Sequence, residues 1–354
     1  LRRDLREGYD ISTLIKGGWQ LSGDHGLVDS LQAVQDMIHF VHAGVTTFDC
    51  ADIYNGVEEM IGEFRIELIR QCGAEAAKSI KIHTKCVPDR DSLAVLKFEH
   101  IEAVIDRSLS RLGQDRLDLV QFHWWDYSID SHIDAIGYLA RLRDKGKINL
   151  IGVTNFDYDH LAALCAVCDI ASAQVQYSLL DRRAEGQFAR LAKLNNVNLI
   201  SYGTLAGGFL SDKWLGHPDP GFEFENRSLV KYRLIIDEFG GWDLYQNLLT
   251  ALRTIADRHG TNIATIALRT SLESNDVAAV IVGARYADRL QDTLQAFNLQ
   301  LSEEDHRSLD LVLRNRKGPH GEVYELERDV NGRHGKIMKY NLNKGDQKLF
   351  SDLE

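Results

Sequence analysis

Gly44-Val-Thr-Thr-Phe-Asp-Cys-Ala-Asp-Ile-Tyr54 is the stretch on which the reading of this chain turns. A glycine that closes a helical pattern is followed by the β-prone run Val45–Phe48, which stops at an acid, Asp49, with Tyr54 shortly after it. A strand covered on both faces does not finish in a carboxylate without a partner, because an unpaired buried charge costs several kcal/mol or shifts its pKa. A cation and an imidazole close two further runs: Ile80–Thr84 stops at Lys85, and Leu117–Phe122 stops at His123. Strand ends carrying Asp, Lys and His, with a tyrosine in the first loop, have the layout of a catalytic edge.

Outward from that stretch the chain alternates. Strands are expected over Ile11–Lys16, Val45–Phe48, Ile80–Thr84, Leu117–Phe122, Lys147–Val153, Ala173–Tyr177, Asn198–Tyr202 and Val277–Val282. Helical spacing runs over Ser30–Ala43, with Asp29 or Ser30 as N-cap, and over Glu58–Cys72, Phe98–Leu112, Asp134–Asp144, Tyr158–Cys168 and Glu185–Leu194. It resumes over Asp243–Arg258, Ala287–Phe297 and Ser302–Arg314, after a long irregular stretch, Gly203–Gly241, that follows the seventh strand.

Eight strands alternating with helices imply parallel pairing by right-handed crossovers. The expected fold is α/β, a closed (β/α)8 TIM barrel in a single domain over residues 1–313, with a polar extension over 314–354. An open doubly wound sheet would want a GxGxxG turn after an early strand, and neither Gly17-Gly18-Trp19 nor GTLAGG at 203–208 supplies one. The extension has too few apolar residues for a core of its own; a tail folded over the barrel competes with a flexible one.

Composition narrows the partners. The 354 residues are 44% apolar and carry a formal charge of −11, without a long basic run, which argues against nucleic acid and anionic membrane surfaces. No apolar stretch approaches the roughly 18 residues of a membrane span, so a soluble protein without membrane insertion is expected, cytoplasmic, or organellar if a transit segment precedes Leu1. The five cysteines suit a reducing compartment, and Cys165 and Cys168 lie in an apolar helical pattern that favours a structural pair over a redox site. Cys50 and Cys86 have no evident base, and His25, His39, His42 and His132 show no metal spacing, so no metal is expected.

GVTTFDCADIY, IHTKC, DLVQFHWW, KINLIGVTNF, AQVQYSLL and LISYGTLAGGFL, in this order, resemble the aldo-keto reductase superfamily of nicotinamide-dependent oxidoreductases over residues 11–300. Asp49, Tyr54, Lys85 and His123 fall on that family's catalytic tetrad. The resemblance implies NADP(H)-dependent hydride transfer to a small-molecule aldehyde, ketone or sugar. Tyr54 would act as general acid, Lys85 would stabilise its phenolate form, Asp49 would pair with Lys85, and His123 would donate a hydrogen bond to the substrate oxygen. Read without the resemblance, Asp49 and Lys85 also suit a structural ion pair, and His123 a core histidine.

The resemblance also places a cofactor. Thr154, Asn155, Gln174 and Asp49 would surround the nicotinamide, with Tyr202 stacked on it and Gly18 and Trp19 nearby. Gly203, Leu205 and Lys213 would grip the pyrophosphate, joined by Arg227 from ENRSLVKYR. VGARYADRLQDTL places Gly283, Arg285, Arg289, Asp292 and Thr293 around the adenosine half, although family members often have Glu-Asn where this chain has Asp292-Thr293. Trp19, Tyr54, His123 and Trp124, with Trp125, would meet the substrate; for the tryptophans, packing between loops is the competing reading. Two other functions stay open: a regulatory or channel-associated subunit, and an aldolase forming a Schiff base on Lys85.

Overall fold

The chain alternates as the sequence pattern requires, and the alternation closes on itself. The structure, a computed structural model, describes residues 2–22 and 27–343. Its strands are β1 (Arg2–Arg6), β2 (Tyr9–Ser12), β3 (Leu14–Gly17), β4 (Thr47–Asp49), β5 (Lys81–Cys86), β6 (Leu117–Phe122), β7 (Ile148–Thr154), β8 (Ser172–Gln176), β9 (Asn198–Tyr202) and β10 (Val277–Gly283). β3 to β10 form a closed, all-parallel eight-stranded barrel in sequence order, with β10 pairing β3. The architecture is therefore the (β/α)8 barrel that the alternation predicts.

The helices are α1 (Ser30–His42), α2 (Val57–Cys72), α3 (Ala74–Lys78), α4 (Phe98–Leu112), α5 (His132–Asp144), α6 (Tyr158–Val167), α7 (Gln187–Leu194), α8 (Arg227–Phe239), α9 (Trp242–Arg258), α10 (Ile263–Leu272), α11 (Leu290–Asn298), α12 (Glu303–Leu313) and α13 (Glu325–Arg328). Where the caps are strong, the expected boundaries match. α4 ends at Gly113, whose φ of +59° is the left-handed conformation glycine adopts without strain. Asp29 caps α1 by accepting a hydrogen bond from the Gln32 amide. None of the helices is long and apolar enough to cross a membrane among the described residues.

Three departures matter. The expected strand at Ile11–Lys16 is split: β1 and β2 form an antiparallel hairpin ahead of the first barrel strand. Ile11 from that hairpin joins Ile15, Ile200 and Ile281 in one apolar cluster, and Arg6 bonds the carbonyls of Ile170 and Asn196 ahead of β8 and β9, so the hairpin covers the barrel's amino-terminal end. The stretch Gly203–Gly241 is not irregular throughout, because Asn226 accepts from the Leu229 amide and starts α8, which buries Leu234, Ile235, Ile236 and Phe239. α10, also unexpected, is capped by Asn262; it packs against α11 and, in a second apolar cluster, against α9.

The extension beyond α12 is folded onto the carboxyl edge of the barrel. The Lys317 amide bonds the Phe239 carbonyl at the end of α8 (2.8 Å), Val323 and Tyr324 are buried, and Asn343 donates to the Val87 carbonyl after β5 (3.0 Å). It thus crosses the mouth from one side to the other. His25 and residues 344–354 lie outside the described residues.

Candidate active site

Parallel register sets the site's geometry. Asp49, the last residue of β4, lies level with Gly17 and His83, while Lys85 on β5 is level with Gln121 on β6. All these side chains are buried. The Lys85 ammonium donates to Asp49 Oδ1 at 2.6 Å and to the Cys50 carbonyl at 2.8 Å. Asp49 Oδ2 accepts from Gln121 Nε2 at 2.9 Å and from Gln174 Nε2 at 2.6 Å. The buried pair is thus held by hydrogen bonds from three strands, the condition under which a buried ion pair offsets its own desolvation. Burial pulls the Lys85 pKa down, but Asp49, with Tyr54 behind it, pulls it further up, so the ammonium is raised above its ordinary value.

Tyr54 stands in the loop after β4 with its ring 5.2 Å from the Lys85 ammonium and 4.8 Å from the Trp19 ring. Burial pushes its pKa up to about 12, and the opposing field of Lys85 recovers only part of that. Tyr54 is therefore a phenol at neutral pH. Gly18 lets this wall close. A Cβ there would fall 2.8 Å from the Asp49 carbonyl and 2.8 Å from Val57, and the Gly18 amide instead bonds that carbonyl at 2.7 Å.

His123 follows β6 and is buried, with Nδ1 3.0 Å from the Thr154 carbonyl. A carbonyl only accepts, so Nδ1 carries a proton. Burial first, then Arg328, depress the ring's pKa to about 3, so the second nitrogen, Nε2, is a bare lone pair with no partner among the described residues. As folded, the ring is set to accept a hydrogen bond at Nε2.

The aromatic surroundings differ from expectation in one place. Trp124 is fully buried, its indole N–H donating to the Asp126 and Ile129 carbonyls, and so packs loops rather than meeting a substrate. Trp125 instead stands edge-on to His123 at 4.2 Å, and Tyr324 from the extension does so at 5.8 Å.

The expected cofactor residues are gathered at the same edge. Thr154 is buried, Asn155 Oδ1 accepts from the Tyr202 hydroxyl (2.9 Å), and the Asn155 amide bonds the Gln174 carbonyl (3.0 Å). Gly203 and Gly207, both at positive φ, face Tyr232 on α8: a Cβ would fall 2.5 Å from its hydroxyl at Gly203 and 2.6 Å from its ring at Gly207. Leu205 is half-buried, while Lys213 is exposed with its ammonium 5.1 Å from the Trp214 ring. Arg227 opens α8 and bonds the Ile337 carbonyl of the extension at 3.2 Å. Gly283 ends β10, Arg285 lies in the loop after it, Arg289 caps α11, and Asp292 and Thr293 follow in the first turn.

Several site residues escape a reading of motifs. Gln121 had a signal: it sits two residues before His123, a polar side chain in the apolar run LDLVQF, and therefore on the same face of the strand. Lys231 on α8 had none. Its ammonium lies 5.1 Å from the Tyr202 ring and 5.2 Å from the Tyr324 ring, and 3.6 Å from Glu327 of α13. Glu327 is completely buried and also paired with Arg183 at 3.2 Å. Burial works against its charge, yet Arg183 and Lys231 prevail and hold it at about 2.

A (β/α)8 barrel whose carboxyl edge carries a phenol beside a buried, hydrogen-bonded ion pair defines a class, that of barrel enzymes working on a polar bond at the mouth. Within it, this chain belongs to the Aldo/keto reductase family, whose model matches residues 13–314, and it is accordingly an oxidoreductase of carbonyl or alcohol groups. It is similar to the NADH-specific methylglyoxal reductase of Escherichia coli K12, 25% identical over 315 residues that cover 83% of this chain and 92% of that protein. Protein tas of the same organism is 31% identical over 239 residues, covering 61% of this chain and 67% of that one. A glycerol dehydrogenase from Gluconobacter oxydans shares the fold, with a TM-score of 0.72 at 22% identity, covering 88% of this chain and 94% of that structure.

Proposed function

We propose that this protein is an NADPH-dependent reductase of aldehydes or ketones in which Tyr54 supplies the proton. The observation that carries the reading is Tyr54 beside Lys85, which is bonded to Asp49 at 2.6 Å, all at one edge of the barrel next to His123. Two features support a nicotinamide dinucleotide: the His123 Nε2 has no partner among the described residues, and the left-handed Gly208 in the loop after β9 faces open space. Thr154, Asn155, Gln174 and Tyr202 would hold the nicotinamide end and Gly203, Leu205, Lys213 and Arg227 the pyrophosphate. Gly283, Arg285, Arg289, Asp292 and Thr293 would hold the adenosine end. The bound dinucleotide supplies the hydride.

The chain's own groups do the rest. Tyr54, kept protonated by burial, gives its proton to the carbonyl oxygen, and the Lys85 ammonium stabilises the phenolate left behind. His123 Nε2 accepts from the product hydroxyl once Tyr54 has given up its proton, and so holds the alcohol and not the carbonyl. A Schiff base on Lys85 is disfavoured, because an amine held charged by Asp49 is no nucleophile. NADPH is preferred to NADH because two arginines stand near the start of α11, where a helix N-terminus and guanidinium groups suit a 2′-phosphate.

The test is Tyr54→Phe. Turnover with a panel of aldehydes and ketones is expected to fall about 10²- to 10⁴-fold while NADPH affinity stays near wild type. Near-normal kcat in that variant would remove Tyr54 from the role.

A further inference from the structure

Two buried charges on the first barrel strand and first helix take no part in the chemistry above. Lys16 on β3 is 2% exposed, and it alternates with Ile15, which packs in the cluster with Ile200 and Ile281, whereas Leu14 packs with Val280 and Val282. Lys16 therefore lies between the barrel and its helices, in an apolar layer where leucine or methionine would pack at less cost. Its ammonium donates to two backbone carbonyls, Gly17 at 3.1 Å and Ala284 at 3.0 Å. Burial lowers its pKa to about 7, against the pull of Asp36. The two carbonyls offset that cost, and one of them belongs to the loop after β10.

Asp36, the second charge, projects from α1 and is 5% exposed. One oxygen accepts from the Ala287 amide at 3.0 Å, and the other from Gln32 at 2.9 Å. Between these two anchors, the Tyr286 hydroxyl accepts from the Asp29 amide at 3.2 Å. The loop 284–287 is thus laced to β3 and α1 on both sides of Arg285, and it leads directly to Arg289 at the cap of α11. A loop pinned at its two ends by hydrogen bonds from buried side chains is held before any ligand arrives, which spares binding the entropy of ordering it.

We propose that Lys16 and Asp36 are positioning residues for dinucleotide recognition: they fix the Ala284–Ala287 loop so that Arg285 and Arg289 meet the 2′-phosphate in a set geometry. The proposal rests on the assignment of those arginines to the adenosine end. Neither Lys16 nor Asp36 touches the ligand. Their effect reaches it through a backbone carbonyl and a backbone amide, so it falls on affinity and on the choice between the two dinucleotides, and leaves the transfer step alone.

The experiment is a set of dissociation constants for NADPH and NADH, read by quenching of intrinsic tryptophan fluorescence on the full chain, with kcat at saturating NADPH and a melting curve for each variant. Lys16→Met and Asp36→Asn are expected to weaken NADPH about tenfold and NADH less, with kcat unchanged. Lys16→Gln, which keeps a donor for the Ala284 carbonyl, is expected to recover most of the loss, and Asp36→Asn carries the test if Lys16→Met does not fold. A purely structural role would lower the melting temperature and weaken both dinucleotides alike. The proposal is overturned if Asp36→Asn, together with Lys16→Met where that variant folds, keeps the wild-type ratio of affinities while Arg285→Ala lowers it. If Arg285→Ala also leaves that ratio untouched, the arginine assignment falls, and the proposal with it.

Discussion

Asp49 and Lys85 hold one another in a place where neither would be stable alone. Their contact is short and both are buried, so removing one partner leaves an uncompensated charge, which costs about 3–5 kcal/mol. Lys85→Met is expected to lose that much stability in denaturant unfolding and to lose reduction altogether. Adding Asp49→Asn is expected to return part of the stability and none of the turnover; activity returning with stability would make the pair purely structural. These residues were legible because a charge at the end of an apolar run is conspicuous. What the sequence hides is the balance of their fields: nothing in GVTTFDCADIY says that burial outweighs Lys85 at the Tyr54 hydroxyl, or that the proton of His123 sits on the nitrogen facing Thr154.

At the scale of elements, the segment beyond α12 completes the mouth. Arg328 bonds the carbonyls of Trp124, Trp125 (3.0 Å) and Asn155 (2.6 Å), and its guanidinium stacks 3.9 Å from the Tyr127 ring. It is also, after burial, the main influence depressing the His123 pKa. Arg328→Ala is therefore expected to raise that pKa from about 3 toward the ordinary histidine value, visible by NMR titration, and to cut kcat/KM roughly tenfold as the wall loosens. An unmoved His123 titration would break the link between extension and site. α4 and β6 are readable from spacing alone, because the apolar pattern that marks each lies within the element itself. The extension is not, since its anchors are polar and distant in sequence, as with Arg183 and Glu327, 144 residues apart. α8 is obscured for another reason: the glycines and prolines of Gly216–Gly221 precede it and suggest a loop.

Over the whole molecule, buried titratable groups set how stability follows pH. His83 is completely buried with neither ring nitrogen bonded, and burial lowers it to about 3, as it does His123. Both folded values lie below the ordinary 6.5, so their contribution is present above that pH and is lost as pH falls toward 3. Asp52 acts in the opposite sense, since burial, with Glu58 behind it, raises it to about 7 and the folded state takes up its proton early. Between about pH 4.5 and 6.5 these three leave a net 2 − 1 = 1 proton more on the unfolded chain, a loss of about 1.4 kcal/mol per pH unit on acidification. Asp52→Asn is expected to steepen that slope by about as much again in denaturant unfolding, and an unchanged slope would show that Asp52 does not titrate in this window.

The barrel closes by pairing β10 with β3, and the mouth is sealed by residues that come later still. On a ribosome the catalytic strands therefore emerge long before the surfaces that bury them. From Tyr202 to Gly283 the chain runs 283 − 202 = 81 residues, about 4–16 s of synthesis at ~5–20 residues per second. During that interval Lys85 and Asp49 face water, the strand edges of β3 and β9 lie open, and nascent chains crowded on one message have edges to offer each other. The protein's most exposed moment falls in those seconds of translation, before the last strand and the extension arrive.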